Sequence, residues 1–239
     1  MQVNFLLHGS LRNKKCIVPK KKLLHFQENL SFPHLFQARY HELITDHHLR
    51  TKWKEDFFRN KNPIILELAC GKGEYTIGLA EKSPDKNFIG MDIKGARLWR
   101  GCKSVEEKGM KNVAFIRSQV DHVTKFFGKN EVNEIWITFP DPQLKKEKKR
   151  LTAPVFLEKY RNILVPDGII HLKTDSYNLF TYTLGIVKCD NHPVLFATDD
   201  LYHVKTIENA GTIQTYYERI WLEEGKKICY LKFQLAPMV

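Results

Sequence analysis

From Pro63 onward the chain alternates short apolar runs with longer mixed segments. Ile64–Leu68, Asn87–Met91, Val113–Ile116, Ile135–Phe139, Gly168–Leu172 and Ile228–Leu235 have the length and apolar content of buried strands. Apolar spacing predicts helices over Glu74–Lys82, Lys94–Lys108, Ala153–Leu164 and Tyr177–Val187, with Ser83-Pro84 and Gly109 closing the first two. Strands that alternate with helices form a mainly parallel sheet covered on both faces. Such sheets bind ligands beyond the carboxyl ends of their strands, where the strand order reverses. Residues 1–62 read differently: they show no strand-like alternation, and a helix is expected over Glu42–Phe58. Asn62-Pro63 then punctuates the chain. The expected organisation is a basic, partly helical N-terminal extension (1–62) followed by one α/β domain (63–239).

Charge narrows the partner. Thirty-eight Lys and Arg against 27 Asp and Glu give a net charge of +11, which suits a polyanion such as nucleic acid. Arg12, Lys14, Lys15, Lys20, Lys21 and Lys22 make the N-terminal segment basic. No run reaches the ~18 apolar residues a membrane span needs. The short Phe5–Leu7 cluster is followed rather than preceded by charge, unlike a secretory signal. Five scattered cysteines without a C-x-x-C pair, and histidines without an H-x-x-x-H pattern, point to reduced cytoplasmic thiols and to no structural metal. His47 and His48, being adjacent, are expected at the surface.

The segment ELACGKG (67–73) ends the first strand of this pattern and opens its first helix. Gly71 and Gly73 let the backbone turn sharply and approach a ligand. A dinucleotide fingerprint would place a third glycine at Thr76, so a nicotinamide oxidoreductase is disfavoured. Glu67 would repel a pyrophosphate but would suit the cationic amino and sulfonium groups of S-adenosylmethionine. Asp92, about twenty residues further on, is placed to accept from ribose hydroxyls. Each acid alone could equally be structural, Glu67 as a helix cap and Asp92 as a turn residue.

The segment TFPDPQLKKEKKRLT (138–152) carries the second candidate site. Pro140 ends strand pairing and Pro142 stiffens the other side, so Asp141 is presented from a rigid turn. Lys145, Lys146, Lys148, Lys149 and Arg150 follow as candidate phosphate contacts. Asp175, in Lys173-Thr174-Asp175, also sits at a strand end. Thr215, Tyr217 and Glu218, in QTYYE, combine polar groups with rings on which a base could stack.

Together, ELACGKG, Asp92, FPDP with its basic loop and Arg150-Leu151-Thr152, the KTD triplet and T-x-Y-E resemble the tRNA (guanine-N7-)-methyltransferase family, bacterial single-chain type, over residues 63–235. Residues 28–37, ENLSFPHLFQ, resemble the N-terminal extension of some members. The resemblance implies a Rossmann-like class I methyltransferase with a seven-stranded sheet and tRNA as partner. It implies S-adenosylmethionine as donor, S-adenosylhomocysteine as product, and a variable-loop guanine as acceptor. Glu67, Asp92, Gln119 and Asp141 would contact the donor, Asp141 also serving in catalysis, while Lys145, Asp175 and Thr215–Glu218 would contact the substrate. The chain departs from the family pattern in having Gln119 in place of an acid, Gln143 in place of a Trp after FPDP, and a shorter basic loop without a histidine. The competing readings are an exocyclic-amine methyltransferase and a catalytically silent RNA-binding module. Oligomeric state is left open between monomer and homodimer.

Overall fold

The computed structural model describes residues 20–38, 44–204 and 210–237; Arg12, Lys14 and Lys15 of the basic segment lie outside them. Eight strands form one sheet: β1 (Leu35–Gln37), β2 (Ile64–Leu68), β3 (Asn87–Asp92), β4 (Val113–Arg117), β5 (Val132–Thr138), β6 (Leu164–Thr174), β7 (Val194–Thr198) and β8 (Cys229–Gln234). Their order is β1-β4-β3-β2-β5-β6-β8-β7, with β8 antiparallel to both β6 and β7 and every other pairing parallel. The order reverses between β2 and β5, the position at which such sheets open a crevice.

The helices are α1 (Lys20–Glu28), α2 (Glu74–Lys82), α3 (Gly95–Lys108), α4 (Val123–Phe126), α5 (Pro154–Arg161), α6 (Tyr177–Cys189) and α7 (Tyr216–Glu223). The period of two along each strand divides the side chains between two cores. Ile64, Leu66 and Leu68 of β2 face one cluster with Phe156 and Leu157 of α5 and Leu179 of α6. Ile65 faces the other, with Tyr75 and Leu79 of α2 and Leu98 of α3. Both cores are continuous with the N-terminal extension: Leu49, Trp53 and Phe58 enter the first, and Phe32 and Leu35 the second.

Two features depart from the sequence pattern. The sheet has eight strands rather than seven, because Leu35–Gln37 pairs in parallel with Phe115–Arg117 at its edge. The helix expected over Glu42–Phe58 is reduced to one π-helical turn, Trp53–Phe58; residues 42–43 lie outside the described ones. A distant carboxylate explains the second change. Glu131 accepts from the backbone N–H groups of Thr51 (2.9 Å), Trp53 (3.4 Å) and Gly128 (2.7 Å), and Thr51 takes a left-handed φ of 69°. These bonds divert the donors that a regular helix would use.

Candidate active site

Four strand tips build the site. At the end of β2 the alternation turns Glu67 toward α2, where burial leaves it only 2% exposed. Its carboxylate accepts from the Thr76 backbone N–H at 2.8 Å and from the hydroxyls of Thr76 and Thr138. The backbone bond caps the first turn of α2, so the structural role foreseen for Glu67 is real. Burial nevertheless pushes its pKa up to about 7, against the lowering effect of those hydrogen bonds. The carboxylate has no cationic partner among the described residues, yet it lines a cleft of ≈290 Å³.

The loop after β2 separates this cleft from a larger one of ≈980 Å³, and Ala69 borders both. Ala69 has φ 57° and Gly71 φ 60°; a Cβ on Gly71 would meet nothing within 4 Å. Gly73 differs. Its Cβ would come within 2.5 Å of the Phe115 ring, so that glycine serves helix–sheet packing, whereas Gly71 faces open space. At the tip of β3, Asp92 accepts from the N–H groups of Gly71 (3.0 Å) and Lys94 (2.7 Å), which ties the loop to the start of α3. Asp92, Ser118, Gln119 and Asp141 share the larger cleft.

Asp141 is exposed and its Oδ1 accepts from the Gln143 N–H at 2.9 Å, an Asx turn between the two prolines. Left-handed residues flank it, Phe139 at φ 47° and Gln143 at φ 46°. Non-glycine residues reach that region at a cost of about 1–3 kcal/mol, so the tertiary structure, not local preference, holds this turn.

The five cations after FPDP divide into two groups. Lys145, Lys146, Lys148 and Lys149 are exposed, and Lys148 and Lys149 rim the larger cleft. Arg150 is 5% exposed, donates from Nε to the Pro142 carbonyl at 3.1 Å, and lies 4.1 Å from the Tyr182 ring centroid. It braces the turn from inside rather than facing a ligand.

The QTYYE segment starts α7. Thr215 caps it through a reciprocal capping box with Glu218. Thr215, Tyr216, Tyr217 and Trp221 line the smaller cleft with Phe139, Lys72 and Arg97. Tyr217 stacks on Trp221 with ring centroids 6.1 Å apart, and Phe139 meets Trp221 at 5.1 Å. Glu218 is fully buried and paired with Lys173 at 2.7 Å, so it does not face the cleft as the sequence suggested. Asp175 is half-buried beyond β6 and borders neither cleft.

Thr138, Lys72, Arg97 and Trp221 carry no sequence pattern that marks them for the site. The capping box itself, Thr215-x-x-Glu218 ahead of Ile220 and Trp221, was the readable sign of α7. Among the described residues there is no cluster of potential metal ligands, and no helix is long and apolar enough to cross a membrane.

A family described as "Putative methyltransferase" matches residues 61–231. In fold the chain is similar to the 16S rRNA methyltransferase KamB, with a TM-score of 0.60 over 77% of this chain and 92% of that one; at 13% identity this speaks to fold alone. It is 49% identical to a tRNA (guanine-N(7)-)-methyltransferase of Bacteroides thetaiotaomicron, over 90% of this chain and 86% of that one. It is 52% identical to another of the same name from Christiangramia forsetii, over 90% and 98%. The strand-tip acids and the similarity along nearly the whole chain lead to one placement: the chain is a methyltransferase and belongs to the tRNA (guanine-N7-)-methyltransferase family.

Proposed function

We propose that this chain methylates N7 of a variable-loop guanine in tRNA, with S-adenosylmethionine as donor. The observation that carries the reading is the convergence of Glu67, Asp92 and Asp141 on the loop at residues 69–71, beside a rim of unburied lysines.

The residues fit that donor. A carboxylate offers about four lone-pair directions, and the two bonds from Gly71 and Lys94 leave room on Asp92 for two ribose hydroxyls. Gly71 leaves open space for close approach. Glu67, buried without a cationic partner among the described residues, suits a positively charged amino group. Gln119 would accept from the adenine amino group. Bound there, the donor supplies an electrophilic methyl group on a cationic sulfur.

The acceptor sets what the protein must do. Guanine N7 carries an in-plane lone pair and no proton, so no side chain has to act as a base before attack. The methylated base is cationic, and a carboxylate facing it stabilises the charge as it develops. Asp141 fits this electrostatic and positioning role, held by its Asx turn and by Arg150 behind it. Tyr217 and Trp221 offer a surface on which an unstacked base can rest, and Lys145, Lys146, Lys148 and Lys149 meet phosphates. Holding N7 in line with the methyl carbon is the largest contribution expected of the chain.

Incubation with unmodified tRNA and labelled donor, followed by nucleotide mapping, tests the proposal. An N7-methylguanosine breaks the strand after reduction and aniline treatment. Label that stays on an unbroken strand would instead identify a methylated amine. Donor binding without any transfer would leave only a silent RNA-binding module.

A further inference from the structure

We infer that Lys173 is a positioning residue that holds both walls of the acceptor cleft at once. The inference rests on the reading above and assigns a function to a buried cation that the chemistry does not otherwise use. In the β5–β6 register Lys173 lies beside Thr138, on the face that carries Glu67 and α2. Its carbonyl accepts from the Phe139 N–H at 2.8 Å, at the residue whose left-handed backbone launches the Pro140–Pro142 turn. Its ammonium pairs with Glu218 at 2.7 Å and donates to the carbonyls of Ala210 (2.6 Å) and Ile213 (3.0 Å). The main chain of one residue thus fixes Phe139, which lines the smaller cleft and leads into the turn bearing Asp141, and its side chain fixes the opposite wall, which bears Thr215 and Tyr217.

The surroundings leave that ammonium no other task. It lies 5.2 Å from the Tyr75 ring centroid and 5.8 Å from those of Phe139 and Tyr202, with no exposed surface on the Lys173 side chain. Burial pulls its pKa down, and Glu218 opposes that effect. Glu218 is itself oriented by the Tyr202 hydroxyl at 2.7 Å, while it closes the capping box at the start of α7. A neutral core would bury the same area at lower desolvation cost. The ionic arrangement adds directed bonds to two loop carbonyls and to the first turn of α7, and an apolar side chain cannot make them.

The test replaces the pair rather than one partner, because a single substitution would strand a buried charge. Exchanging such a pair for apolar residues of similar volume is often neutral for stability. The double variant Lys173→Met, Glu218→Met is therefore expected to fold, with a wild-type circular dichroism spectrum. Its kcat/KM for tRNA should fall by about a hundredfold, the scale of a misplacement near 1 Å. The donor dissociation constant, measured by calorimetry, should stay within about twofold, since neither residue borders either cleft or bonds to Glu67 or Asp92. A folded variant with unchanged kcat/KM would overturn the inference, as would equal losses of donor and tRNA binding. Should the variant not fold, hydrogen exchange on the wild-type chain decides: protection of the amides of 213–218 comparable to that of β6 supports the clamp, and rapid exchange there rejects it. A wild-type protein that places no methyl group on tRNA would instead sink the underlying function.

Discussion

The wall built on strand tips and the wall built on the loop after β5 treat charge in opposite ways. On the strand side Glu67, Asp92 and Lys173 are all buried, Lys173 together with its partner Glu218 of α7, and each is held by at least two hydrogen bonds or an ion pair within the fold. On the loop side four lysines are exposed, and Arg150 alone is built in. Buried charges are costly unless satisfied, so their geometry is set during folding, before any ligand arrives. Exposed lysines keep their hydration and rotamer freedom until a polyanion releases counterions around them. On the proposed reading, one wall is preorganised for a small cationic donor and the other is adaptable toward a large anionic acceptor.

Asp141 stands where the walls meet, and it breaks or supports the contrast most directly. Removing a preorganised electrostatic group typically costs about 10²–10³-fold in turnover. Asp141→Ala is expected to lose kcat on that scale, with a much smaller change in donor affinity. Single-turnover methyl transfer and calorimetric donor titration measure the two separately. Turnover close to wild type would remove Asp141 from the chemistry and leave it a turn residue.

The strand wall was far more legible in the sequence than the loop wall or the extension. Strand β2 and helix α2 fall on the expected residues, because Ile64–Leu68 is apolar except at Glu67 and Ser83-Pro84 stops the helix after it. Glu67 and Asp92 were legible as candidates because one acid sits at the head of a glycine loop and the other about twenty residues beyond it, after the next strand. Strand β1 was not legible: three residues pair with a strand some eighty positions away, and no local period announces that. The 42–58 helix failed for a similar reason, since Glu131 is remote in sequence from the N–H groups it captures. Strand β7 is mostly exposed at the sheet edge and so lacks the burial pattern that marks the central strands. In the loop, five consecutive-looking cations carried one sequence meaning, but packing on Tyr182 gave Arg150 a different one.

The next effect belongs to the strand wall. Glu67 has a folded pKa near 7, raised from 4.5 chiefly by burial. Between those values the folded chain binds more protons than the unfolded chain, so stability falls as pH rises. The contribution is fully present below about 4.5 and is lost as pH passes through about 7, on the order of 3 kcal/mol. Other groups titrate as well. Burial lowers the pKa of His171, which tilts stability the opposite way, so the difference between wild type and variant is the useful quantity. Glu67→Gln should remove the Glu67 part of the slope in melting temperature between pH 4.5 and 7.5. It should also abolish the proton release expected when a cationic donor binds next to the carboxylate. Identical pH profiles for the two proteins would show that Glu67 is already ionised without ligand, and that this wall is less desolvated than its burial implies.

The smallest effect, and the sharpest separation of the two walls, lies within the basic loop itself. Lys148 and Lys149 rim the cleft unburied, whereas Arg150 next to them is held by the Pro142 carbonyl and the Tyr182 ring. If the lysines meet phosphates, each contact contributes about 0.7–0.9 to the slope of log affinity against log salt. Lys148→Ala with Lys149→Ala should therefore flatten that slope for tRNA by about 1.5 units while leaving single-turnover chemistry at saturating tRNA nearly unchanged. Arg150→Lys should do the reverse. It keeps the charge but loses the planar stacking and the fixed Nε donor, so the slope stays and the rate at saturation falls. Filter binding across a salt series, paired with single-turnover rates, reads both quantities from the same preparations. If Arg150→Lys flattened the slope as much as the lysine pair does, its guanidinium would be meeting phosphate, and the division between built-in and waiting charge would have to be moved one residue along the chain.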